Sequence, residues 1–479
     1  MNTRRAPSVL LLLTVATVPA LALASTWRYA DANVPPPSTT TTTTLPPVPQ
    51  PVLTTQLLSY RRHPEPLARR AAETATAARM SSVVASMTGD MVPGSCLKVV
   101  TGGQIVAEFE PNVSVIPASN QKMLIAAAAL DILGSDFRFT TELLGPAPVG
   151  GVVAGDVYLV GGGDPLLDSA LIPDPQRYPA FNTTSIEALA DQLVAQGVTL
   201  IEGELVGDGG RYDDEFRVPS WADDITSAEA GPYDALLIDD GQITPGNHGL
   251  EPNRAAARVF VDLLLARGVS VPLGPANRAR PADAQLITLA SVQSAPLSDI
   301  VVELLHTSDD NTAELLLKEI GFAASGAGTR QAGLDAAFAK LVEWGIPTDG
   351  VALADGSGLS RDNRLTCNAL VGLMTTTPVS AELVSLMAVA GRDGTLRDEL
   401  LGTPAEGVLH AKTGSLTGVK ALSGQMRDRT QRAVEFALVL NGDGVNEPEV
   451  FELAWAQLVD LIAELPVSVD PDTAPFAPR

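Results

Sequence analysis

Apolar and polar positions divide the chain into recognisable elements. Cys96–Thr101 and Val106–Phe109, either side of Gly102-Gly103, predict a strand pair around a tight turn. Ile116-Pro117-Ala118 then leads into Ser119. The run Lys122–Leu133, rich in Ala, Leu, Met and Ile, predicts a strong helix that Gly134 ends. Further on come a short strand at Val157–Val160, the loop Gly161-Gly162-Gly163-Asp164-Pro165, and helices near Ser185–Gln196 and Asn253–Arg267. Past Leu286 the pattern predicts a strand at Ile287–Ala290 and a helix over about Ala313–Ile320. Late strands follow near Val419–Gln425 and Val434–Leu440, and a closing helix spans about Glu449–Leu465.

The first residues follow another pattern. Arg4 and Arg5 precede an apolar run from Val9 to Ala24 that ends in small residues, the layout of a signal peptide over 1–24. The run also nears the roughly 17-residue lower limit for a membrane span, so an uncleaved anchor is the rival reading. Either way the remainder is expected outside the cytoplasm, secreted or tethered to the envelope, with any membrane contact made through that segment. Residues 25–76 hold Pro35–Pro37, threonines from Thr39 to Thr44 and four further prolines up to Pro51. Such a stretch cannot pack a core and reads as an extended tether. The rest divides into a domain made of 77–144 and 286–466, a module inserted at 145–285, and a tail at 467–479.

Composition narrows the classes of function. With 479 residues, 45% of them hydrophobic, the chain can build two or three packed domains. A formal net charge of −24 leaves no basic surface for neutralising phosphates, which argues against nucleic acid as a partner. Cys96 and Cys367 cannot form a disulfide framework; a single bridge and two buried thiols both remain open. The histidines His63, His248, His306 and His410 include no pair at ligand spacing, so no metal is expected.

A serine nucleophile with a lysine base is the remaining route to chemistry, since no Gly-X-Ser-X-Gly elbow occurs. Ser-X-X-Lys occurs twice, where roughly one chance match is expected in a chain of this length. Ser95 and Lys98 lie in a strand-like run, where positions i and i+3 point to opposite faces. Ser119 and Lys122 lie at a helix start, where i and i+3 share a face and the helix N-terminus favours an alkoxide. Ser119 as a simple N-cap is the competing reading. Lys412-Thr413-Gly414 occurs once, before a strand-like run through Val419 and Ala421. A lysine and a hydroxyl there can dock a carboxylate, and the glycine lets an extended ligand lie against the backbone.

Between these lies Thr307-Ser308-Asp309-Asp310-Asn311-Thr312-Ala313-Glu314. The ordered set Ser119-X-X-Lys122, a Ser-X-Asn-like element and Lys412-Thr413-Gly414 resembles the three motifs of penicillin-binding proteins and serine β-lactamases. The long gap from Ser119 to Ser308 resembles the D-alanyl-D-alanine carboxypeptidase/endopeptidase family, class C low-molecular-mass penicillin-binding proteins, which carry extra domains there. Gly161-Gly162-Gly163-Asp164-Pro165, Ser294-Ala295-Pro296-Leu297, Asp355-Gly356-Ser357-Gly358-Leu359-Ser360-Arg361 and Asp393-Gly394-Thr395-Leu396 extend the similarity.

The resemblance implies an α+β fold of the penicillin-binding/serine β-lactamase type, an antiparallel sheet flanked by helices, with a large inserted module. It implies a serine D-Ala-D-Ala carboxypeptidase/endopeptidase acting on peptidoglycan peptides, inhibited by β-lactams and needing no cofactor. Ser119 would attack the carbonyl between two D-alanines while neutral Lys122 takes its proton. Ser308 would relay a proton to the departing nitrogen. Charged Lys412, with Thr413 and Gly414, would hold the terminal carboxylate, and the backbone N–H groups of Ser119 and Ser415 would form the oxyanion hole. One departure stands out. The family pattern is Ser-X-Asn-X-X-Ala-Glu, and aligning on Ala313-Glu314 puts Asp310 in the asparagine slot with Asn311 one place on; a shifted helix start would present Asn311 to the substrate instead. An ionised aspartate only accepts hydrogen bonds and would hold Lys122 charged. A catalytically weak scaffold that binds wall peptides is therefore one alternative; a β-lactamase or esterase on the same fold is another.

Overall fold

The computed structural model describes residues 91–465 other than 173–176, 222–229, 245–246, 279 and 282–284, with a few isolated positions upstream. The predicted leader and C-terminal tail lie outside the described residues, as does nearly all of the predicted tether.

The expected hairpin forms, as β1 (Cys96–Thr101) and β2 (Gln104–Phe109). A 3-10 turn at Ala118–Asn120 runs into helix α1 (Gln121–Leu133), which stops at Gly134 in a left-handed conformation that glycine tolerates best. The chain then builds β3 (Thr140–Gly145), β4 (Val157–Val160), α2 (Glu187–Ala195), β5 (Leu205–Asp208), α3 (Pro252–Ala266), β6 (Pro275–Asn277) and β7 (Ile287–Gln293). Helices α4 (Leu297–Thr307), α5 (Asp310–Ser325), α6 (Arg330–Glu343) and α7 (Cys367–Thr375) follow. Last come β8 (Ala388–Val389), β9 (His410–Leu416), β10 (Val419–Arg427), β11 (Ala433–Asn441) and α8 (Pro448–Ala463).

Two larger sheets stand out among the described residues. The first is antiparallel in the order β8-β9-β10-β11-β1-β2, so an early and a late segment meet where β11 pairs β1. Its side chains alternate between two cores, as period-2 geometry requires. Leu97, Val99, Phe436, Leu438 and Leu440 face Trp455, Leu458 and Ile462 of α8. Cys96, Val100, Ala437 and Val439 face α1, α7 and their neighbours on the other side. α1 is buried along Gln121–Leu130 and so forms the centre of that second core. Cys96 and Cys367 are bonded, with Cα atoms 5.9 Å apart, so a bridge rather than two free thiols ties β1 to the start of α7.

The second sheet has the order β6-β5-β4-β3-β7 and packs against α2 and α3. The edge strand β7 pairs antiparallel with β3, and the two lie across or outside the expected insert limits of 145 and 285. The Gly161–Asp164 loop is a place of close backbone approach: a Cβ on Gly162 would fall 2.1 Å from the Thr140 carbonyl oxygen, and one on Gly161 2.3 Å from that of Ala235. The triplet Lys412-Thr413-Gly414 lies within β9 itself, whereas the sequence pattern put the strand only after it.

Candidate active site

The turn that carries Ser119 is held from both sides. Ala118 sits at φ 48°, left-handed for a residue with a side chain, a strain that surrounding structure must hold. Gly358 and Gly414 supply the room: a Cβ on Gly358 would lie 2.0 Å from the Ala118 carbonyl oxygen, and one on Gly414 2.9 Å from that of Pro117. Below the turn, the buried Asn120 amide donates to Ser423 Oγ on β10 at 2.7 Å. Ser119 does not cap α1; no side chain does.

Lys122, fully buried, donates to three acceptors: Ser119 Oγ at 3.0 Å, Asp310 Oδ1 at 2.6 Å and the Ser357 carbonyl at 2.7 Å. Three acceptors match the three N–H groups of a charged ammonium. The carboxylate comes from the first turn of α5, capped by the Asp309 side chain, which accepts from the Thr312 N–H. Asp310 thus faces Lys122. Asn311 is buried, bonds the Asp240 carboxylate of the insert and does not line the cleft. Ser308, in a left-handed conformation at the end of α4, does line it.

β9 forms the opposite wall. β8 pairs only with His410 and Ala411, so among the described residues the edge from Lys412 to Leu416 carries no strand partner on that side. Such an edge is a template for an extended peptide. Thr413 Oγ1 donates to Thr395 Oγ1 at 2.8 Å. Lys412 is fully buried, and its ammonium donates to the Thr413 carbonyl at 2.9 Å. Burial pushes its pKa well below the ordinary lysine range; the charge of Lys122 pushes the same way and Asp310 opposes.

These walls enclose a cleft of about 1680 Å³ lined by Ser119, Ser308, Asp310, Thr413, Gly414 and Ser415. The insert contributes too, through residues such as Tyr178, Asp240 and His248. Sequence reasoning missed the support beneath. Glu314 Oε1 accepts from the N–H groups of Gly356 (3.0 Å) and Ser357 (2.7 Å), the same peptide region whose carbonyl meets Lys122. Burial, then the nearby Asp355, raises Glu314 to about 8, against the pull of those hydrogen bonds. Asp355 accepts from Trp221 Nε1 at 2.8 Å and from the Gly358 and Ser360 N–H groups. The Asp355–Arg361 string, which extends the family resemblance, was the available signal.

A serine at a helix start, bonded to a buried lysine and facing the open edge of an antiparallel sheet, defines the penicillin-binding class of fold. The profile of the D-Ala-D-Ala carboxypeptidase 3 (S13) family matches residues 77–249 and 246–465, so this chain belongs to that family. It is 32% identical to a carboxypeptidase of Mycobacterium tuberculosis over 78% of this chain and 82% of that protein. It is also 32% identical to carboxypeptidase DacB of Mycolicibacterium smegmatis over 92% and 94%. Penicillin binding protein 4 of Haemophilus influenzae shares the fold with a TM-score of 0.67 at 23% identity, covering 80% of this chain and 99% of that one.

Proposed function

We propose that this protein is a serine D-Ala-D-Ala carboxypeptidase/endopeptidase of peptidoglycan stem peptides, working through an acyl-enzyme on Ser119. The observation that carries the reading is the 3.0 Å contact between Ser119 and Lys122 in a cleft shared with the unpaired edge of β9. On this reading the peptide docks along Lys412–Ser415 as an added strand, with its terminal carboxylate at Thr413 and Lys412. Ser119 attacks the penultimate carbonyl, whose oxygen settles between the Ser119 and Ser415 N–H groups. Ser308, across the cleft, passes a proton to the departing D-alanine nitrogen, and water then releases the acyl group. β-Lactams enter as inhibitors by acylating the same serine. A wall substrate requires export, the role of the 1–24 leader.

The test is labelling with a fluorescent penicillin beside D-alanine release from a peptide ending in D-Ala-D-Ala. The native chain is expected to label stably and to release D-alanine, and Ser119→Ala to do neither. A native chain that takes no label sinks the reading. One observation favours a catalytically weak scaffold instead: the Asp310 carboxylate, 2.6 Å from Lys122, ties up the base.

A further inference from the structure

We propose that Lys122 and Asp310 share one proton, and that its passage from Lys122 to Asp310 arms the site for attack. The proposal rests on the reading of Ser119 as the acylated nucleophile. In the resting arrangement Lys122 is a donor to Ser119, Asp310 and the Ser357 carbonyl at once, and an ammonium with all three N–H groups engaged has no lone pair for the Ser119 proton. Asp310 is the one ionisable acceptor of the three. Its side chain is 10% exposed and that of Lys122 is 0% exposed. Burial this deep penalises two separated charges, which narrows the gap between the ion pair and the neutral pair of amine and carboxylic acid.

The proton shift does two things. It leaves Lys122 with two N–H groups and a lone pair, which a third of a turn about Cε–Nζ aims at Ser119 Oγ. It also converts Asp310 from a pure acceptor into a carboxylic acid with an O–H donor and a C=O acceptor, the same pair of functions that an asparagine amide presents. Asp310 lines the cleft, so the new O–H is in place for a substrate carbonyl. The departure from asparagine thus keeps the substrate contact while storing the base's proton inside the site. The steps balance: one proton moves from Lys122 to Asp310, a second from Ser119 to Lys122 as the Oγ–C bond forms. The second then goes to the leaving nitrogen as its C–N bond breaks; in hydrolysis water gives its hydroxyl to the acyl carbon and its proton to Ser119 Oγ as the Oγ–C bond breaks, and the first proton returns from Asp310 to Lys122.

Other charges surround the pair. Lys412 acts on it from β9, with His306 and His410 beyond. Glu314 and Asp355 lie beneath, across the Gly356–Ser357 peptide. Asp309 caps the same helix, and Asp240, with His248 4.0 Å from its carboxylate, faces Asn311 from the insert. None of these is a hydrogen-bond partner of the Lys122 ammonium, whose donors are spent on the three acceptors above.

The distinction lies in the pH dependence of Ser119 acylation, measured as the second-order rate of labelling by a fluorescent penicillin. With Asp310 the armed and resting forms carry the same number of protons, so the native rate stays nearly flat over about pH 6–9. Asp310→Asn and Asp310→Ser cannot store the proton, which must leave to solvent. Both are expected to fall on the order of 10²-fold below native near pH 6, rising with pH to meet it at the alkaline end. That alkaline recovery also shows that each variant is folded. Either variant with the native profile, or Asp310→Asn faster than native at neutral pH, overturns the proton-sharing proposal and leaves the nucleophile assignment intact. A labelled Ser119→Ala overturns the nucleophile assignment itself.

Discussion

The chain carries the same four-residue spacing of serine and lysine in two places, and the fold treats them in opposite ways. Ser95 immediately precedes β1 and accepts a hydrogen bond from the Asn441 N–H at 3.0 Å, while Lys98 on the strand reaches the Asn368 side chain. Ser119 and Lys122, on the turn into α1, bond to each other at 3.0 Å. The chemistry of the residues is identical, so the difference is backbone geometry: three residues along a strand reverse the side-chain direction, and three along a helical turn restore it. The two neighbourhoods also differ in what holds them. The Ser95 region is fixed by β1 pairing, apolar packing and the Cys96–Cys367 bond. Buried ionisable groups surround Ser119: Lys122, Lys412, Asp310, Glu314 and Asp355 are all at most 8% exposed.

The largest effect expected from this contrast is catalytic. Lys122→Met should lower the acylation rate by penicillin by about 10²–10⁴-fold, the usual reach of a proton-transferring side chain. Lys98→Met, in the equivalent motif position, should change it by less than about twofold. Comparable losses from the two would erase the distinction between the motifs. Next in size is a stability effect confined to the other neighbourhood. Replacing Cys96 and Cys367 together by serine opens a bridge that spans 271 residues of chain. Denaturant melts should show a loss on the order of 2–5 kcal/mol, with Ser119 still acylated at room temperature. A double variant that keeps native stability but loses acylation would mean that the bridge serves the site rather than the sheet.

The same contrast explains what could be read from the chain beforehand. The Ser119–Lys122 pair is a local fact, decided by the apolar run from Lys122 to Leu133, and the structure has it. The spacing to Ala313-Glu314 favoured Asp310 over Asn311 without deciding between them, and the structure puts Asp310 opposite Lys122. Features made by pairing across long gaps were less legible. The edge strand β9 holds a lysine, a threonine and a glycine in its middle, so its strand character comes from β10 rather than from its own pattern. β7 joins the second sheet only through β3, about 150 residues upstream, and the insert limits drawn at 145 and 285 cut beside the pair. Glu314 and the Ser357 N–H were invisible as partners because nothing local links α5 to the Asp355–Arg361 loop; the fold brings them to 2.7 Å.

Buried charge should also make the Ser119 neighbourhood the pH-sensitive one, and Glu314 offers the finest test. Its carboxyl is raised from 4.5 to about 8, chiefly by burial and then by Asp355. The folded protein therefore keeps a proton that the unfolded chain releases above its ordinary value. Stability from this group is complete at low pH, declines as pH rises from about 4.5 to about 8 and levels off beyond. Glu314→Gln mimics the protonated acid, since its oxygen can still accept from the Gly356 and Ser357 N–H groups. The variant should melt as the native protein does near pH 5 and on the order of a few degrees higher near pH 8. Some slope will persist, because Asp234 and Asp239 are also raised, to about 7, by burial. Parallel melting curves for variant and native across that window would show that Glu314 is already charged in the folded protein. The floor beneath Lys122 would then carry one more negative charge.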